Sequence, residues 1–155
     1  MSIESIKELM DEFDPAALLP ELDTITGKVE LVTRIAVMAA PIVLLVLGLL
    51  YLFAAPKEAN YHFGYRCYFG MGSVEAWRFT QRLAGVVLGG LGLILSIVML
   101  IVCISFRGQE IMPMVENAVT ALIWQAVLTL VGCLGVNITA MILFDSNGEP
   151  RRKAN

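Results

Sequence analysis

The chain has 155 residues, of which 57% are hydrophobic and 16% charged, and its net charge is −3. A soluble domain carries charge on about a quarter of its residues, so this composition argues against one. The length suits one compact unit. The apolar residues fall into three long runs, which predicts an all-α integral membrane protein with three transmembrane helices.

Residues 1–34 form an acidic, amphipathic N-terminal segment in which eight Asp and Glu face three Lys and Arg. Ser2 is placed to cap a helix whose apolar residues Ile3, Ile6, Met10 and Phe13 recur at helical spacing. Met1 to Phe13 contains no apolar core of a signal peptide, so no cleavable one is expected. Asp14-Pro15 is a second helix start. Pro20 and Gly27 read as breaks, so two short helices and a turn are expected, resting on the membrane or the bundle.

The first apolar run, Ile35 to Ala55, is long enough to span a bilayer, which takes about 20 residues. Pro41 predicts a bend whose freed carbonyl is satisfied by neighbouring packing. Pro56 ends the helix, and Tyr51 and Phe53 suit the membrane interface. Residues 57–82 are a polar loop. Within it Ser73 predicts an N-cap, with Glu75 in the first turn where the helix dipole favours negative charge. The helix should then run unbroken into the second span, Leu83 to Phe106.

In that span Gly85, Gly89, Gly92 and Ser96 recur at steps of four, three and four. Lipid supplies no hydrophobic force between helices, so small residues that let backbones approach mark a packing face. The partner helix can come from this chain or from another copy. Residues 107–155 hold the third span and a basic tail: 107–116 read as a short turn, about Asn117 to Phe144 as the third apolar run, and Asp145 to Asn155 as the polar tail. At about 100° per residue, Gln125, Thr129, Gly132, Gly135 and Thr139 share a face that should point into the bundle, while Asn137 points elsewhere. Asn137-Ile138-Thr139 matches a glycosylation acceptor, but its membrane depth excludes that use.

Three spans place the N-terminus and the second connection on one side, the loop and tail on the other. Lys28, Arg34 and Arg107 stand against Lys57, Arg66, Arg78, Arg82, Arg151, Arg152 and Lys153. The excess of basic residues puts the loop and C-terminus in the cytoplasm of a plasma-membrane protein. Cys67, Cys103 and Cys133 form no C-x-x-C pair, and His62 is the one histidine. No metal, cofactor or nucleic-acid partner is expected, and no nucleophile stands with a base, so an enzyme is not expected either.

The loop is the most distinctive stretch. Gly64-Tyr65-Arg66 is followed, eleven residues after the arginine, by Trp77 in Glu75-Ala76-Trp77, with Met71 between them and Gly85 beyond. Over roughly residues 42–106 this resembles the SdpI-like family of bacterial membrane proteins. Their motif has a Gly-Tyr-Arg, a Ser-Met-Lys-Asn-like stretch, then a Glu-x-Trp helix entering a span. Cys67, Tyr68, Gly70, Gly72, Ser73 and Gln81 depart from that pattern. The resemblance implies a binding role without catalysis. The expected roles are immunity to a toxic peptide, membrane retention of a cytoplasmic regulator, or both. A second class fits the same spans: an accessory or scaffold subunit packed against other membrane proteins or copies of itself.

Two accounts of the loop follow from the residues. In one, Tyr61, Tyr65, Tyr68 and Trp77 lie at headgroup level and Arg66, Arg78 and Arg82 meet lipid phosphates. In the other, Arg66 pairs with Glu75 and folds the loop onto the helix start.

Overall fold

The computed structural model describes residues 15–59 and 62–151. Three helices make up the bundle: α1 (Pro15–Phe53), α2 (Val74–Ser105) and α3 (Ile111–Leu143). All three are long and apolar enough to cross a bilayer, α1 over Thr24–Phe53. The fold is therefore an all-α membrane protein, as the composition predicts. Only a minority of the residues in each span are buried in the bundle. Side chains such as Val86, Ile101 and Leu130 point outward, where hydrocarbon solvates them.

The helix that begins at Pro15 does not break at Pro20 or Gly27. This corrects the expectation of two short helices there; the helix expected over Met1 to Phe13 lies outside the described residues. At 39 residues α1 is about 58 Å long, at about 1.5 Å per residue, well beyond the bilayer core. Pro20 removes one backbone bond near the helix start, and Gly27 costs about 1 kcal/mol relative to alanine. Tertiary packing outweighs both. Further along, Val29, Val37 and Met38 join a core cluster with Met99, Cys103 and Phe106 of α2 and Met114 and Ala118 of α3.

α1 and α2 lie together along most of their lengths, and α3 touches both more sparingly. The small-residue stripe faces α1 of the same chain. A Cβ on Gly85 would lie 2.6 Å from the Leu52 side chain, and one on Gly92 would lie 2.8 Å from the Leu45 Cα. At the centre Gly89 meets Gly48 backbone to backbone: a Cβ on Gly48 has no room, and one on Gly89 would lie a tight 3.3 Å from the Gly48 Cα. Ser96 is only half-buried, and its hydroxyl donates to the Gly92 carbonyl one turn back (2.7 Å).

α3 starts at Ile111, earlier than its apolar run suggested. Pro113 sits in the first turn, where a backbone N–H has no helical partner to lose. On α3, Met114, Ala118, Gln125, Val136 and Ala140 are buried, with Thr129 and Gly132 partly so. Gly135, expected on this face, is exposed. The true face follows the near-heptad spacing of 118, 125, 132 and 136, and a step to 135 rotates out of it.

Candidate functional site

α1 ends at Phe53, and the chain returns to α2 through 54–73, which includes a 3-10 turn at Phe69–Met71. Ser73 caps α2 as predicted: its Oγ accepts from the Ala76 N–H at 3.0 Å. The same hydroxyl donates to the Gly148 carbonyl at 2.6 Å and so ties the tail to the helix start. Residues 145–151 of the tail form a hydrogen-bonded turn. Asp145 Oδ1 accepts from the Asn147 and Glu149 N–H groups (2.9 and 2.8 Å), and the Arg151 N–H donates to the Leu143 carbonyl at 2.8 Å. Phe144 packs on Phe79 with ring centroids 5.5 Å apart. The basic residues Arg152 and Lys153 lie outside the described residues.

The core of the loop is built on α2. Trp77 is fully buried, and its Nε1–H donates to the Pro56 carbonyl at 2.8 Å. Gly64 lies against the indole at φ 123°; a Cβ there would sit 2.6 Å from the ring. Both the dihedral and the contact demand glycine. Gln81, one turn after Trp77 and 2% exposed, holds the next residue of the loop by both backbone groups. Its Oε1 accepts from the Tyr65 N–H (2.8 Å) and its Nε2 donates to the Tyr65 carbonyl (2.7 Å). A buried amide thus does for Tyr65 what a neighbouring strand would do.

Tyr65 carries the loop onward to α3. Its hydroxyl is 3.1 Å from both the Cys133 carbonyl and Asn137 Oδ1. Burial, with the nearby Cys133 thiol next, pushes the Tyr65 phenol well above its usual range. The group therefore stays a neutral donor. Tyr51 of α1 packs edge-on against this ring at 6.2 Å and against Phe63 at 6.1 Å.

Of the predicted motif residues, the structure brings Gly64, Tyr65 and Trp77 together. Arg66 is exposed, Met71 half-buried in the 3-10 turn, and Glu75 exposed in the first turn of α2. No ion pair joins Arg66 to Glu75 among the described residues; Glu75 stands where the helix dipole favours its charge. The headgroup-anchor account is also corrected for Tyr65 and Trp77, whose polar atoms bond to protein. It fits Tyr68, which is 75% exposed, while Tyr61 lies outside the described residues.

Asn137 does lie off the packed face, yet the loop reaches over α3 to meet it. Gln125 points inward as expected and has a specific task. Its Nε2 donates to the Val37 carbonyl at 3.1 Å. That carbonyl is the one Pro41 leaves without its helical N–H. Thr129 turns back to the Gln125 carbonyl at 2.7 Å. Gln81 and Pro56 were missed as parts of the site. The signal for Gln81 was a polar residue one turn after Trp77 on a helix about to enter lipid.

The architecture is that of a three-span helical membrane protein whose first loop is folded onto the end of its own bundle. The chain belongs to the SdpI/YfhL protein family, whose sequence model matches residues 56–143. The match takes in α3, beyond the 42–106 stretch that carries the resemblance in the loop. No curated protein and no solved structure matches it.

Proposed function

We propose that this chain acts in the plasma membrane as an SdpI-like binding protein, without catalysis. It gives immunity to a toxic peptide, retains a regulator at the membrane, or does both. One observation carries this reading: the family motif folds into a fixed platform, through Trp77–Pro56 and Gln81–Tyr65, that leaves Arg66 and Tyr68 exposed. Rigid presentation of a few exposed side chains is what a recognition surface requires.

The basic excess near the membrane supports a cytoplasmic loop and C-terminus. A membrane-impermeant thiol reagent added to intact cells should then leave Cys67 unlabelled; prompt labelling reverses the orientation. Function is tested by expressing the chain in a toxin-sensitive host and by asking which cytoplasmic proteins it retains at the membrane. The parent should give survival or retention. Arg66→Ala and Tyr68→Ala, inserted at parental levels, should lose it. A parent with neither effect refutes the proposal.

A second reading is a scaffold or accessory subunit of a larger membrane complex. Trp124 supports it, being 61% exposed near the middle of α3, far from the interfacial zone that tryptophan prefers. Stoichiometric co-purification with unrelated membrane subunits would favour this alternative.

A further inference from the structure

Where α1 and α2 leave the membrane beside the loop, a cavity of about 420 Å³ opens between them. Tyr51, Leu52, Ala55 and Pro56 form its α1 side, Gln81 contributes from α2, and Lys57, Arg78 and Arg82 supply its cations. Among the described residues no carboxylate lines it. Arg78 is exposed, and its Nε donates to the Lys57 carbonyl at 3.3 Å, which leaves the two terminal amino groups of its guanidinium for another acceptor. Arg82 immediately precedes the apolar run that starts at Leu83, and Lys57 follows the end of α1 by four residues. All three cations therefore sit at headgroup level, next to an aliphatic wall at Leu52.

Solvated lysines and arginines are common at helix ends. Lys57, Arg78 and Arg82 are exposed as well, but the three line one cavity, and the Arg78 contact with the Lys57 carbonyl draws the two connected ends together there. Glu75 lines the adjacent groove with Arg78 and Arg82 and offsets part of their charge, but it does not line this cavity.

We propose that this cavity binds the phosphate of an anionic membrane lipid, with Arg78, Arg82 and Lys57 on the headgroup and an acyl chain along Leu52. Basic pockets between membrane helices suit such headgroups. Guanidinium forks match phosphate oxygens in pairs. A zwitterionic lipid offers the same phosphate but carries its own cation, which the three basic residues repel. The site stands independently of any toxin or regulator.

The test uses the full chain in neutral detergent, with native mass spectrometry to count bound lipid. The probes are phosphatidylglycerol, phosphatidylcholine with the same chains, and inorganic phosphate alone. Phosphatidylglycerol should bind saturably, phosphatidylcholine should not displace it, and phosphate alone should not occupy the site. Arg82→Gln, whose side chain makes no hydrogen bond to the described residues, should weaken phosphatidylglycerol binding about fivefold. Arg82→Lys should restore part of it. Arg107→Gln, the loss of an exposed cation at the opposite end of the bundle, should change nothing. Equal losses for Arg82→Gln and Arg107→Gln would mean diffuse charge attraction and overturn the proposal. So would equal binding of phosphatidylcholine. Tight binding of phosphate alone would reassign the site to a soluble anion.

Discussion

The two seams of this bundle are fastened in different ways. Between α1 and α2, Gly48, Gly85, Gly89 and Gly92 bring two backbones together, and dispersion contacts do the rest. Between α3 and the other elements, polar groups make the specific joins: Gln125 to the Val37 carbonyl, and Tyr65 to Cys133 and Asn137. The first seam is close and continuous. The second is sparser: Met114 and Ala118 share an apolar cluster with Val37, Met99 and Phe106 near one end, and near the other the contact passes through the loop, so that end of α3 is held in part by whatever holds Tyr65. A chain in lipid cannot rely on hydrophobic association between its helices, and these are the two remedies open to it.

The sharpest way to break the comparison is to crowd the first seam. Gly89→Leu forces a side chain into the Gly48 backbone and should cost about 3 kcal/mol, the upper end for overpacking a tight interior. Val98→Leu, on the exposed side of the same helix, should fall within about 0.5 kcal/mol of the parent. Thermal unfolding in detergent compares them; equal midpoints would remove the glycine seam from the account.

The second seam should break from the loop. Trp77→Phe keeps a ring but leaves the Pro56 carbonyl without its donor, and should cost about 2 kcal/mol. A ring that merely rested among headgroups would tolerate the change. If Trp77→Phe unfolds like the parent, the loop is an anchor and not a platform.

The smallest effect concerns Gln125. Its Nε2 satisfies the carbonyl that Pro41 frees, but its Oε1 is itself buried with no partner among the described residues. Gln125→Leu therefore removes one good bond and one unsatisfied acceptor, for a net cost of about 1 kcal/mol. In a Pro41→Ala background the helix supplies its own N–H to Val37, and the cost should shrink toward zero. An unchanged cost would mean that Gln125 does not act on the proline break.

Much of this was legible in the residues, and the exceptions share a cause. Helix count, the cap at Ser73 and the glycine stripe follow from spacing along one helix, which a sequence displays directly. So does the polar stretch on α3, but only as a tendency to face inward. What it does depends on another element: Gln125 has meaning only beside Pro41, across 84 positions of chain. The Gln81 clamp is hidden for the same reason, because a loop backbone leaves no side-chain pattern to announce where it lies. Pro20 and Gly27 misled in the other direction. Their local cost is real, but packing farther along α1 exceeds it.

The motif loop is a folded platform held by Gln81. Hydrogen exchange at the Tyr65 backbone amide tests it most directly, since that N–H is donated to a buried side-chain oxygen at 2.8 Å. The amide should exchange far more slowly than a free loop amide in the parent, and should lose that protection in Gln81→Leu while the amides of α2 keep theirs. Free-amide exchange at Tyr65 in the parent would contradict the account.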